Sequence, residues 1–199
     1  MLVFATLGPA GSNHELVTGK YLYRHGLSNA RVLLVDDFED ALRRMSSGEV
    51  DHIVQVAVHP AAAKIVAKAH FEHDIRVIDT FISPSRPLAV LTRMEVELPK
   101  TLGLQPATEA YVDTSRWETL IPEISIATVA EGLVAGRFDS GIAALDFAAA
   151  HPGLFRVELE LGSVDDPWIV YGRERASDGG VVAWLDGPAS RMYRHALSR

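Results

Sequence analysis

The sequence predicts an α/β chain of two lobes with a ligand cleft between them, and three observations support this. Short apolar, β-branched runs alternate with capped helical segments, the pattern of largely parallel sheets flanked by helices. The segment Ser83-Pro84-Ser85-Arg86-Pro87 can be neither helix nor central strand, because its two prolines remove donors and fix φ. It therefore separates two sets of elements. Residues 41–53 and 132–142 also echo each other: in each, a helix closes on glycine (Gly48, Gly136) and an aspartate (Asp51, Asp139) opens a buried strand. Convergent βα grammar gives the same pattern, so the echo supports two lobes only together with the other signals. The boundaries follow as a first lobe over 1–84, a second over 85–154, a return to the first over 155–175, and a helical tail over 176–199.

In order, the apolar run Leu2 to Leu7 reads as a buried strand that stops at a Gly8-Pro9 turn. Ser12 and Glu15 have capping-box spacing and start a helix that runs to about His25 and stops at Gly26. A strand that turns through small residues into a helix N-terminus aims unpaired N–H groups at one point, so Gly11, Ser12 and Asn13 are expected to bind a carboxylate or phosphate. The same spacing also suits an ordinary βα turn with a good cap. Arg31 to Val35 is a strand, Asp37 caps a helix from Phe38 to Ser47, and Asp51 to Val58 is a strand running into His59-Pro60. An Ala-rich helix to His70 and a strand from Ile75 to Phe81 complete the first set. The second set comprises strands at Leu88 to Thr92 and Thr101 to Leu104, a helix from Pro106 to Trp117 and a strand from Glu123 to Ile126. A helix from Thr128, a strand from Ser140 to Ala144 and a short helix to Ala150 then lead to His151-Pro152. Val157 to Leu161 and Ile169 to Tyr171 are expected to return to the first lobe, and Pro188 to Arg199 to form the tail helix.

With 199 residues and 48% hydrophobic content the chain can bury a full core. No apolar run reaches the roughly 18 residues of a membrane span, and no basic segment precedes the N-terminal apolar one. A cytoplasmic protein without a membrane partner is expected. The absence of cysteine excludes thiol chemistry and disulfides, and the net charge of −7 without a basic run argues against nucleic acid. None of the eight histidines has metal-ligand spacing, so no metal site is expected. These features leave open whether the chain pairs as a homodimer.

The run Leu7-Gly8-Pro9-Ala10-Gly11-Ser12 resembles the LGPxGT/S opening of prephenate dehydratase catalytic domains. The likeness extends from Phe4 to Gly172: Phe38 through Asp51 resembles that family's helix, glycine and aspartate, Leu104-Gln105-Pro106 stands where it has Ser-His-Pro, and Thr128-Val129-Ala130 where it has a Ser/Thr-Thr-Ala helix start. The resemblance implies a two-lobed, periplasmic-binding-protein type II-like fold with the ligand between the lobes. Departures are equally informative. Val58-His59-Pro60 replaces Glu-Asn-Ser, and Asp165-Asp166-Pro167-Trp168-Ile169-Val170-Tyr171-Gly172-Arg173 replaces a Thr-Arg-Phe motif whose threonine lies near the departing hydroxyl, its place being read as Trp168 or Ile169. No regulatory ACT domain is expected. In these respects the chain is similar to the non-aromatising prephenate decarboxylases of bacilysin-type antibiotic biosynthesis.

The resemblance implies a lyase acting on a small dicarboxylate without any cofactor, since the substrate's own diene accepts the electrons released with CO2. His59, with His14, is expected to supply the proton, imidazole being suited to transfer near neutrality. His14 equally suits a solvent-facing position in a first helical turn. Ser83, Arg86, Gln105, Thr108 and Thr128 stand at turns and helix starts as candidate substrate contacts, the Arg86 guanidinium for a carboxylate. Trp168 is a candidate wall of the ring pocket, although a strand tryptophan more often packs in a core. Two other readings remain open, a dehydratase giving phenylpyruvate and a module that binds a small carboxylate without reacting it.

Overall fold

The computed structural model describes residues 1–197. The first half of the chain forms β1 (Val3–Leu7), α1 (Asn13–Arg24), β2 (Arg31–Val35), α2 (Phe38–Ser46), β3 (His52–Val56), α3 (Ala62–His73) and β4 (Arg76–Pro84). The second half forms β5 (Leu88–Arg93), β6 (Thr101–Leu104), β7 (Thr119–Pro122), α4 (Ile126–Val134), β8 (Ser140–Ala144), α5 (Leu145–Ala150), β9 (Phe155–Gly162), β10 (Asp165–Gly172) and α6 (Pro188–Leu197).

The strands make two five-stranded sheets of matching design, in the orders β2-β1-β3-β10-β4 and β7-β6-β8-β5-β9. In each sheet three strands are parallel, and the fourth runs against both of its neighbours. That antiparallel strand is always the first one after a crossing between lobes: β5 enters the second sheet from β4, and β10 enters the first from β9. The two crossings lie side by side, joined by hydrogen bonds from the Ser85 N–H to the Val164 carbonyl (2.8 Å) and from the Val164 N–H to the Ser85 hydroxyl (3.0 Å).

Period-two alternation places a core on each face of the first sheet. Phe4, Val54, Val56, Trp168 and Val170 face α1 and its Val17 and Leu22. Ala5, Ile53 and Tyr171 face α2 and α3 and pack with Phe38, Leu42, Met45 and Ile65. In the second sheet Phe138 fills the space beside Gly103 and Gly132, where a Cβ would come within 2.3 Å of its ring. Those two glycines are fixed by close approach rather than by chain flexibility.

Four expectations are corrected. Phe155–Gly162 does not return to the first lobe but pairs with β5, because this edge strand plays in the second sheet the part that β4 plays in the first. Pro106 to Trp117 forms two short 3-10 turns, Pro106–Tyr111 and Thr114–Arg116, since Gln105 and Asp113 each cap a turn and break the run between them. The strand expected over Glu123 to Ile126 lies earlier, at Thr119–Pro122. The next helix starts at Ile126 under a Ser125 cap rather than at Thr128. The tail helix forms, and the last two residues of its expected span, Ser198 and Arg199, lie outside the described residues. Among the described residues no helix is long and apolar enough to cross a membrane.

Candidate functional site

The opening turn is built by the residues that marked it in sequence. Gly11 takes φ 79°, a left-handed conformation that glycine adopts without strain. Ser12 caps α1, its hydroxyl accepting from the Glu15 N–H at 3.2 Å and donating to the Leu7 carbonyl at 3.0 Å. The Glu15 carboxylate folds back and accepts from the Gly11 N–H at 2.5 Å, so the corner expected to hold an anion already holds one of its own. Ser12 is therefore committed to structure, and the first-turn N–H groups of Asn13 and His14 are what the helix start offers a ligand.

A cleft of about 670 Å³ opens between the lobes. The first lobe contributes Gly11, Ser12, Asn13, His14, Val56 and His59, and the second Gln105, Thr108, Tyr111, Ser125, Ile126 and Phe147, with Arg86 from the link between β4 and β5 and Asp166 from β10. The sequence-derived residues Gly11, Ser12, Asn13, His14, His59, Arg86, Gln105 and Thr108 are thus brought together. Three others are not. Ser83 is buried with its hydroxyl donating to the Pro84 carbonyl at 3.3 Å. Thr128 lies one turn inside α4, where its hydroxyl closes a capping box by accepting from the Ser125 N–H at 3.1 Å. Trp168 is 0% exposed and lies beneath the site, its ring centroid 5.2 Å from that of His14.

The imidazoles of His14 and His59 stand 6.4 Å apart, both packed against Phe38, at 5.8 and 5.3 Å. Burial, followed by the nearby His59, lowers the pKa of His14 to about 4, and its Nε2 is buried without a partner among the described residues. Burial lowers His59 as well. The His59 Nδ1 accepts from the Ala61 N–H at 3.1 Å, which puts the proton of the neutral ring on Nε2. A second proton on His59 would have to displace that backbone donor. The site thus holds two neutral rings, which serve as hydrogen-bonding groups more readily than as acids.

Arg86 joins the lobes. Its backbone N–H donates to Asn13 Oδ1 at 3.0 Å, its guanidinium donates to the Gly11 carbonyl at 3.4 Å, and its Nε lies 3.8 Å from the Asp146 carboxylate on α5. Gln105 and Thr108 line the cleft but are tied locally, Gln105 Oε1 accepting from the Ala107 N–H at 2.7 Å and Thr108 donating to the Gln105 carbonyl at 2.8 Å. Asp146, Glu131, Tyr111, His151 and above all Asp166 also line the cleft and were not picked out from sequence as site residues. Asp166 alternates in phase with Trp168 and Val170, so period-two patterning would have put it on the α1 face. Its burial against the second lobe follows from the crossing alone. Apart from Arg86, the cleft's charged side chains are carboxylates and its walls are chiefly aliphatic.

No family model matches the sequence, and neither does any curated protein. Among solved structures, a prephenate dehydratase from Arthrobacter aurescens, crystallised in complex with L-Phe, aligns over 96% of this chain and 70% of its own length at TM-score 0.64 and 22% identity. An ABC transporter protein from Parabacteroides distasonis aligns over 100% of this chain and 69% of its own at TM-score 0.54 and 15% identity. The periplasmic VFT2 domain of BvgS from Bordetella pertussis aligns over 86% and 80% at TM-score 0.53 and 14% identity. At these identities the likeness concerns fold. The chain has the two-lobed, periplasmic-binding-protein type II-like architecture that prephenate dehydratase also has.

Proposed function

We propose that the protein is a lyase that releases CO2 from prephenate or a related cyclohexadiene carboxylate without aromatising the ring. The observation that carries this reading is the cleft itself, a largely aliphatic cavity of about 670 Å³ whose lining includes the imidazoles of His14 and His59, the Arg86 guanidinium and the Asp166 carboxyl group. Its volume falls in the usual range for small-molecule sites, and a few polar groups on apolar walls are what such a site uses to orient a ring. The Arg86 guanidinium and the Asn13 amide are placed to hold a substrate carboxylate at the start of α1, with the Nε2–H of His59 as a further donor. Carboxylates outnumber the single guanidinium. CO2 leaves neutral and the electron pair it leaves on the ring is taken up by a proton, so the product carries one negative charge fewer than the substrate, and the acidic lining favours decarboxylation over mere retention of the anion.

Purified protein incubated with prephenate tests this directly, with ultraviolet absorbance and product mass followed together. The proposal expects a product that has lost CO2 and kept its ring oxygen. Phenylpyruvate as the product would establish a dehydratase instead. Binding with no turnover would leave a ligand-binding module.

A further inference from the structure

Asp166 is buried at 7% exposure, lines the cleft, and has neither a hydrogen-bond donor nor a cation against its side chain among the described residues. The carboxyl oxygens face the cleft and are only partly desolvated, which disfavours the charged form without a partner to offset it. Such groups concentrate where chemistry needs them. The neighbours of Asp166 explain why it stays unpaired. On β4 its register partner is Ser83, whose hydroxyl turns to Pro84, and on β10 the preceding residue is Asp165. Across the cleft Tyr111 faces it, and the remaining titratable or charged groups of the cavity are His14, His59, His151, Arg86, Asp146 and Glu131. Arg86, the one permanent cation among them, is engaged with Asp146 and Gly11.

Building on the decarboxylation reading above, we propose that Asp166 is the catalytic acid, handing its proton to a terminal carbon of the ring diene. The bond between the ring and the departing carboxylate breaks, its electron pair enters the diene, and CO2 leaves. The terminal carbon forms a C–H bond with the Asp166 proton, Asp166 becomes a carboxylate, and a proton from solvent restores it. Atoms and charge balance with the uptake of one proton, and the ring hydroxyl takes no part.

Two features of the site fit this step. Burial, followed by the adjacent Asp165, raises the pKa of Asp166, which favours the protonated form that an acid requires. The two histidines are held neutral, and His59 would have to give up its bond from the Ala61 N–H to become cationic.

The test follows kcat, KM, CO2 release and product mass for wild type, Asp166→Asn, Asp166→Glu and Asp166→Ser with prephenate, over a pH series and in deuterated water. A catalytic acid contributes roughly 10²- to 10⁴-fold, so Asp166→Asn is expected to lower kcat on that scale with little change in KM, and Asp166→Glu to recover part of the rate. Wild-type kcat should decline as pH rises through the Asp166 pKa. The residual activity of Asp166→Asn should lack that decline, and one deuterium should enter the wild-type product. Removing a carboxyl group that no partner holds should leave the melting temperature unchanged or higher, and Asp166→Ser supplies a second variant if the amide disturbs the fold. Asp166→Asn and Asp166→Ser with wild-type kcat and pH profile overturn the assignment and leave the decarboxylation reading intact. Wild-type protein that releases no CO2 from prephenate overturns the reading itself.

Discussion

His14 ties the stability of the protein to pH, and the size of the effect follows from its surroundings. In the unfolded chain an imidazole titrates near 6.5, whereas in the folded protein burial and then His59 bring His14 to about 4. Between those values the unfolded chain binds the proton and the folded one does not, so stability is fully present above about pH 6.5 and is lost as pH falls toward 4. At about 1.4 kcal/mol per tenfold change in proton affinity, the folded state loses about 2.5 kcal/mol between about pH 7.5 and about pH 4.5 through this one ring. His14→Phe keeps the packing against Phe38 and Trp168 while removing the titration. Urea unfolding of both proteins at the two pH values measures the difference. With a slope of about 2 kcal/mol per molar for a chain of this size, the wild-type midpoint should fall by about 1 M more than that of the variant. His59 and the carboxylates remain in both proteins and largely cancel in the comparison. Equal pH dependence of the two midpoints would refute a buried, neutral His14.

Three further outcomes are expected. Ser12→Ala should cost about 1 kcal/mol of stability, the usual worth of an N-cap, with KM for prephenate unchanged, because both hydrogen-bonding capacities of the hydroxyl are spent on Leu7 and Glu15; steady-state kinetics and thermal melts distinguish this from a role in binding. Trp168→Ala should destabilise by about 3–5 kcal/mol, as emptying a fully buried aromatic site does, and should disorder His14 above it, visible as altered His14 ring resonances in NMR. Arg86→Met should raise KM for prephenate by about 10- to 100-fold by removing a charge-assisted contact, and Arg86→Lys should not restore it, since a lysine cannot reproduce the fork that reaches both Gly11 and Asp146.

Features carried by neighbours in the chain could be read from the sequence. The β1 strand, its small-residue turn and the Ser12 cap need only contacts within about five residues, and they stand where the periodicity and capping rules put them. Thr128 shows where local rules run out: Ser125 and Thr128 are both acceptable caps, and only the completed helix decides which one begins it. Tertiary partners set the rest. For Trp168 only its position in the family pattern implies a pocket wall, and alternation along β10 turns it beneath His14. Asp166, two residues earlier on the same face, was not singled out. Its isolation arises when a strand from the far end of the chain is laid between β3 and β4.

That late insertion of β10 also sets the order in which the two sheets can be completed on the ribosome. The second sheet has all its members once β9 has emerged, since its five strands, β5 to β9, follow one another in the chain. The first sheet, although synthesised earlier, waits with β4 separated from β3 until β10 arrives to fill the gap. The nascent N-terminal half therefore exposes the unpaired edges of β3 and β4 throughout synthesis of the second, and the C-terminal half reaches its native pairing first. The full native pairing of the second sheet is thus available one strand before that of the first.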